Sequence, residues 1–519
     1  MFPTSYYTAH ESQVDVKELN SLSLASTQAP DEQDNVLDHL FDDDCGADVR
    51  KATFELGHPN GSKGGFYGLM RETYSLRAKV SQILLNDTNV CVQTQASMES
   101  LLSALQVTLA HLQSIPRPDG WCDGDGDHVH ALMADAATEV KVRLGYEANE
   151  LIRDVSFIQG GEVSVMQNMQ KLHESRRSTD IEWIESKLPT WTESLDGALR
   201  AMHAATKASG QAPARRFRNF ITDRDGTINN YCDRYASSIQ AAYNSVFIGK
   251  FSKHCADKTI LITAAPLGGR PGSQGLMELC TMPPGVAVYA GSKGREYFDS
   301  RAGQVLEVEP LPAKVRTLLQ DVCDRLVLLC SKPENSKFLG LGSGLQHKFG
   351  ELTIARNDPG GSVSAEESLR FKAEIQHVMS EIDPMGSELD MHDTGTDIEI
   401  FPKLADGSPS FNKGNGVLGL NKQLGLGVAE GPNLVCGDTS SDVAMIEATL
   451  HLMGDARPAS NLSVLFIVTP EEHKRTPSLA NKVSNLCRAA GAQCAILPSP
   501  DVLIAALAHY TRESVRSQH

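Results

Sequence analysis

Four short apolar runs constrain this 519-residue chain most: FRNFIT (217–222), TILIT (259–263), NLVCG (433–437) and LSVLFIVT (462–469). Runs this short and this apolar, separated by helical stretches, predict parallel strands buried on both faces of an α/β sheet. Ligands of such sheets bind beyond the carboxyl ends of the strands. Three of the runs reach that end at residues with chemistry to offer: Asp223, Thr263 and Asp438.

The sharpest pattern is FITDRDGTINN, in which a strand runs into Asp223-Arg224-Asp225-Gly226-Thr227. Two carboxylates two residues apart face one site if the chain turns there, and Gly226 permits the turn. One is then placed to act as a nucleophile and the other to move protons. The Thr263 hydroxyl suits a phosphoryl oxygen. Lys413, in FNKGNGVLGL, opens a predicted helix, where an ammonium and free N–H groups favour an anion. Asp438 and Asp442, in GDTSSD, add hard oxygen ligands of the kind Mg²⁺ takes together with phosphate and water.

In order and type these pieces resemble the four motifs of the haloacid dehalogenase superfamily: DRDGT, the Thr of LIT, the Lys of NKG, and GDTSSD. The resemblance implies a doubly wound parallel-sheet (Rossmann-like) core. It makes Asp223 the nucleophile of an aspartyl-phosphate and Asp225 the acid and base. Thr263 and Lys413 would hold the phosphoryl group. Mg²⁺ would be ligated by Asp223, Asp438 and the backbone carbonyl of Asp225, with Asp442 ligating or orienting.

The first two motifs are 40 residues apart and the second and third 150, so a large α/β cap is expected within 285–405. Its expected strands are GVAVYAG, GELTIAR and TDIEIFP, around the helix SAEESLRFKAEIQHVMSEI. Within the superfamily, AGSKGREYF, LQHKFGELTIAR and DIEIFPKL followed by FNKG are most similar to the trehalose-6-phosphate phosphatases. That likeness implies sugar contacts from Lys348, Glu399 and Glu296, the last of them the family's turn acid. Gln346 stands where the family pattern has Glu, and GDTSSD is less acidic than the family's GDD-x-x-D-E.

The remaining expectations concern organisation and partners. Residues 1–65, with FDDDCGAD, read as a disordered polar segment, and 66–210 as an all-helical domain whose stripes (Leu76, Val80, Ile83, Leu84; Leu101, Leu105, Leu109, Leu112; Ile181, Ile184, Leu188) pack as a self-contained bundle. The core then spans 211–284 and 406–519. A net charge of −17 argues against nucleic acid or an anionic membrane as partner. Arg215, Arg216 and Arg218 read as a solvated linker. Eleven scattered cysteines and no long apolar run suit a cytoplasmic protein. The expected activity is Mg²⁺-dependent hydrolysis of a small phosphorylated sugar, with trehalose 6-phosphate favoured. The alternatives are another sugar-phosphate phosphatase, a phosphomutase of the same capped class, or a regulatory scaffold. The helical domain could also carry an oligomer or protein contact.

Overall fold

The computed structural model describes residues 53–55, 65–86, 92–115, 128–132, 139–179, 189–208, 216–268, 274–300, 303–358, 361–403, 410–454 and 459–517. The first two predicted stripes lie on helices Gly65–Asn86 and Val92–Gln113, while the stripe at Ile181, Ile184 and Leu188 falls outside the described residues. Helices Gly145–Thr179 and Trp191–Ala208 follow. The region is not wholly helical. Strand β2 (His128–Leu132) pairs antiparallel with β3 (Glu139–Arg143) and in parallel with β1 (Thr53–Glu55), a strand that corrects the expectation of disorder for that part of residues 1–65. EVKVR alternates apolar and charged residues with the period of a strand, a signal too short to stand out beside the helical stripes.

The four apolar runs form neighbouring strands: β4 (Phe217–Thr222), β5 (Ala256–Ile262), β13 (Asn433–Gly437) and β14 (Leu462–Ile467). With β6 (Val288–Gly291), β7 (Glu296–Asp299), β8 (Gln304–Glu307) and β15 (Gln493–Leu497) they make an eight-stranded sheet of order β15-β14-β13-β4-β5-β6-β7-β8. Pairing is parallel from β15 to β6 and antiparallel beyond. The chain builds outward from β4 through β5 and β6, then returns to the other side of β4 with β13. That switch of direction opens a crevice at the carboxyl ends of β4 and β13. GVAVYAG, expected in the cap, is therefore corrected: its Val288–Gly291 pairs with β5 inside the core sheet. Its continuous apolar burial is that of an inner parallel strand, which composition alone does not assign to one sheet or another.

One face of the sheet is covered by Tyr243, Phe247 and Phe251 of helix Ala242–Cys255, by Val502, Leu503 and Tyr510 of Pro500–Arg516, and by Ala198 and Met202 of the N-terminal region. Helices Lys413–Leu424, Val443–Met453 and Leu479–Ala490 cover the other with Val417, Leu420, Ile446 and Val483. The helical region is thus not a self-contained bundle: its apolar side chains finish the core around the eight-stranded sheet, and Phe66, Tyr67 and Met70 join a cluster with the cap. Arg216 is no solvated linker charge either. It donates to the carbonyls of Lys253, His254 and Ala256, where the carbonyls at a helix end lack partners.

The cap sheet has order β11-β12-β10-β9, from β9 (Leu345–Lys348), β10 (Glu351–Ala355), β11 (Leu389–Asp393) and β12 (Asp397–Pro402), all antiparallel. Helices Ala313–Cys330 and Ala365–Ile382 bury Leu326, Phe371 and Ile375 with Leu352, Ile354, Ile398 and Ile400. Side chains alternate along a strand, so the opposite face carries Gln346, Lys348, Glu351, Thr353 and Glu399.

A buried polar network fastens the N-terminal region to the core. Arg153 makes a two-pronged contact with Asp501 (3.0 and 2.7 Å) and also reaches Glu150 (2.7 Å) and the Tyr243 hydroxyl (3.2 Å), which itself donates to Glu150 (3.1 Å). A buried charge cluster is favourable only while every member is satisfied. Tyr243→Phe keeps the ring in its aromatic contact with Phe247 but removes the hydroxyl, so it is expected to lower stability by roughly 1–3 kcal/mol in urea denaturation.

Candidate active site

β4 delivers Asp223 to the crevice, where its N–H donates to the Cys436 carbonyl of β13 (3.1 Å). The chain then turns, with the Gly226 N–H donating to the Asn229 carbonyl (2.7 Å). Gly226 has φ +82°, and a Cβ there would stand 2.2 Å from Oδ2 of Asp438. Only glycine allows both the conformation and the approach. Gly226→Ala is expected to push Asp438 aside and lower turnover about 100-fold, which steady-state kinetics would read.

Three elements bring their carboxylates together. Oxygen atoms of Asp223, Asp438 and Asp442, all buried, lie within 4.8 Å of one another. Lys413 enters from the first turn of its helix, whose preceding Asn412 accepts the Asn415 N–H. Its Nζ lies 2.8 Å from Asp223 Oδ1 and 2.6 Å from Asp442 Oδ1. Asp438 accepts from the Thr227 hydroxyl (2.8 Å). Asp442 spends its second oxygen on the N–H groups of Asp438 and Thr439 and on the Thr439 hydroxyl (3.1, 2.9 and 2.9 Å). So occupied, it orients Lys413 and the loop more than it offers a lone pair.

Three buried carboxylates facing one ammonium cannot all stay ionised. Burial pushes Asp223 up to about 7 despite Lys413, with Asp442 adding to the rise. Burial and the Asp442 and Asp223 charges raise Asp438 well above the carboxylate range. Burial opposes the charge of Asp442 too, but Lys413 and the loop N–H groups hold it low. The shortage of positive charge and the all-oxygen donor set fit a hard divalent cation.

Asp225, two residues past Asp223, is not part of that cluster. Its Oδ1 accepts from Arg224 (2.5 Å) and the Ser238 hydroxyl (3.0 Å), and among the described residues no hydrogen bond engages Oδ2. Thr263 ends the adjacent strand β5 at the same edge of the sheet, its hydroxyl accepting the Ala265 N–H (3.2 Å).

Of the residues expected to meet the sugar, Glu296 is placed as a strut. It is buried, and its Oε1 accepts from the Leu267 N–H (3.0 Å) and the Ser292 hydroxyl (2.7 Å), while Ser292 Oγ accepts the Phe349 N–H of the cap (2.8 Å). Ser292 and Lys293 hold positive φ (52° and 64°), a conformation non-glycine residues keep only where the surroundings enforce it. From that turn Lys293 reaches Glu351 (2.5 Å), which also takes Lys348 (2.9 Å). Burial alone would raise Glu351, but the two lysines bring it down to about 2. The polar cap face thus meets the core beside the Lys413 helix, and Lys348 lines the cleft between them with Arg295, Phe401 and Phe411. Glu399 lies on the same face across from Thr353, near His392 (3.4 Å). Sequence reasoning missed Arg224, Ser238, Lys293 and Glu351. Arg224, Lys293 and Glu351 sat inside quoted motifs, whereas Ser238 carries no local signal.

Residues 220–503 match the family model described as trehalose-6-phosphate phosphatase, C-terminal. Over 88 % of its length the chain is 28 % identical to "Alpha,alpha-trehalose-phosphate synthase [UDP-forming] 1" of Caenorhabditis briggsae, spanning only 31 % of that protein. It is 29 % identical to the trehalose-phosphatase of Brugia malayi, over 57 % of this chain and 56 % of that one. Among solved structures, the C-terminal domain of C. albicans trehalose-6-phosphate phosphatase aligns over 60 % of this chain and 96 % of its own, with 16 % identity and a TM-score of 0.39. No helix among the described residues is long and apolar enough to cross a membrane.

Proposed function

The chain belongs to the trehalose-6-phosphate phosphatase family, within the haloacid dehalogenase superfamily, and on that ground we propose that it hydrolyses a sugar phosphate monoester, with trehalose 6-phosphate as substrate. The observation that carries this reading is the meeting of Asp223, Asp438, Asp442 and Lys413 at the switch point of the sheet, under a polar cap face. The core, whose sheet takes in β6, β7 and β8, supplies the chemistry, the cap within 313–402 the sugar contacts, and the helices of 66–210 a supporting face.

Asp223 Oδ attacks phosphorus, the bond from phosphorus to the sugar oxygen breaks, and Asp225 gives that oxygen its proton. Asp225 then takes a proton from water as the water oxygen attacks the aspartyl-phosphate, releasing inorganic phosphate and restoring Asp223. Lys413 and the Thr263 hydroxyl face the phosphoryl oxygens as charge builds on them. Asp223, Asp438 and the Asp225 carbonyl would hold Mg²⁺, steadied by Asp442; when bound, the ion neutralises the carboxylates and the phosphoryl charge. Lys348 and Glu399 would select the sugar hydroxyls.

The test is phosphate release with Mg²⁺ and with EDTA from a panel of phospho-sugars, with products identified. Preferred turnover of trehalose 6-phosphate, lost in EDTA, supports the reading. Preference for another phospho-sugar would discard the substrate, and transfer of phosphate to a second sugar position would make the protein a mutase.

A further inference from the structure

We propose that Tyr146, on a helix outside the family match, is a positioning residue for Asp225, so that the N-terminal region completes the catalytic site. The inference rests on the reading of Asp225 as the acid that protonates the leaving sugar.

Between the catalytic turn and Ser238 the chain forms a loop, and the first turn of helix Gly145–Thr179 grips it at two places. The Tyr146 hydroxyl donates to the Ile239 carbonyl (3.0 Å) and accepts from Asn229 Nδ2 (2.9 Å). Next to it, Glu147 accepts from Arg234 (2.7 Å) and the Ser237 hydroxyl (2.6 Å). Asn229 is the residue whose carbonyl closes the turn on Gly226, and its Nδ2 also lies 3.2 Å from Ser238 Oγ. Ser238 in turn donates to Asp225 Oδ1 (3.0 Å). A path of hydrogen bonds therefore runs from Tyr146 through Asn229 and Ser238 to the acid. Arg224 binds the same oxygen and the Ser238 carbonyl, which ties the path together.

Asn229, Ser238 and Arg224 are 1 %, 2 % and 1 % exposed, so water has little access to replace a lost partner. With two donors fixed on Oδ1, Oδ2 is the oxygen left to face the leaving group. Without the Tyr146 hydroxyl, Asn229 Nδ2 loses an acceptor, Ser238 gains freedom to turn away, and the carboxyl can rotate off the leaving oxygen. The loss should appear only when the leaving group needs a proton.

The experiment uses the full chain with Mg²⁺ and reads single-turnover release of two leaving groups, trehalose from trehalose 6-phosphate and 4-nitrophenolate from 4-nitrophenyl phosphate. Tyr146→Phe is expected to slow trehalose release about tenfold, to leave 4-nitrophenolate release within about twofold, and to melt within a few degrees of the parent. Ser238→Ala, one bond nearer the acid, is expected to show the same selective loss. Equal slowing of both leaving groups, or no slowing of either, would overturn the inference. Asp225→Asn separates the two levels: a selective loss there with none in Tyr146→Phe and Ser238→Ala removes the positioning role alone. If Asp225→Asn is itself unselective, or if the parent releases neither leaving group, the reading of Asp225 fails and the inference falls with it.

Discussion

Asp223→Asn is expected to lower phosphate release by a factor of about 10⁴ or more, because an amide in place of the carboxylate proposed to attack offers no nucleophile. The exchange is nearly isosteric, and the Asn carbonyl still accepts from Lys413, now 2.8 Å from Asp223 Oδ1. The fold should therefore survive. Asp223 sits among like charges in a buried site that pushes its carboxyl up to about 7, so an always-neutral side chain relieves repulsion. In EDTA the variant is expected to melt at or above the temperature of the parent while being inactive. Residual turnover within about tenfold of the parent would exclude Asp223 as the nucleophile.

Lys413→Met should harm stability as well as activity. Lys413 is buried, and its ammonium contacts both Asp223 and Asp442. Its removal leaves the three carboxylates of the cluster without their ammonium. Breaking one side of a buried ion pair typically costs roughly 3–5 kcal/mol, and in the proposed role of Lys413 the loss of a phosphoryl donor costs about 10²–10³ in turnover. The stability loss has a defined pH dependence in EDTA. Asp223 rises from 3.8 to about 7 in the folded parent, so between those values the folded state keeps a proton that the unfolded chain has given up. Stability from this group thus falls as pH rises through that window. Asp442, held low by Lys413, works in the opposite sense, but only below its ordinary value of 3.8. Without the ammonium the carboxyls rise further, so the deficit of Lys413→Met should be small near pH 4 and widen toward pH 8. Urea denaturation across that range would read it, and a deficit independent of pH would contradict the account.

The candidate-site residues that were legible from sequence share one property: each ends or begins an element whose pattern is local. Asp223, Thr263 and Asp438 follow continuous apolar strands, and Lys413 follows a helix-capping Asn412. The cap helix Ala365–Ile382, expected from SAEESLRFKAEIQHVMSEI, was equally plain, and in the structure Ser364 and Glu367 close its start in a reciprocal cap. GVAVYAG was misplaced because the apolar character of a buried strand says nothing about which sheet receives it. Glu296 was taken for a sugar contact, whereas its bonds to Leu267 and Ser292 make it an internal brace. Its position in a motif was visible, but its partners lie in a loop and a turn that only the fold brings together.

What the sequence by itself determined is which groups stand at the element ends: an acid pair at one strand end, a lysine at a helix start and two more aspartates at a second strand end, with room for a cap between. These are readable because strand and helix ends are set by interactions within a few residues. What only the tertiary structure decided is how those groups are charged and supported. Asp442 is bound to Lys413 across 29 positions, Glu351 to Lys293 across 58, and Asn229 to Tyr146 across 83. The N-terminal helices came to finish the core and grip the loop that follows Asp225 because their apolar side chains and buried charges find partners there. The apolar stripe on each helix shows that it must bury a face; which surface it buries against depends on the packing of the whole chain.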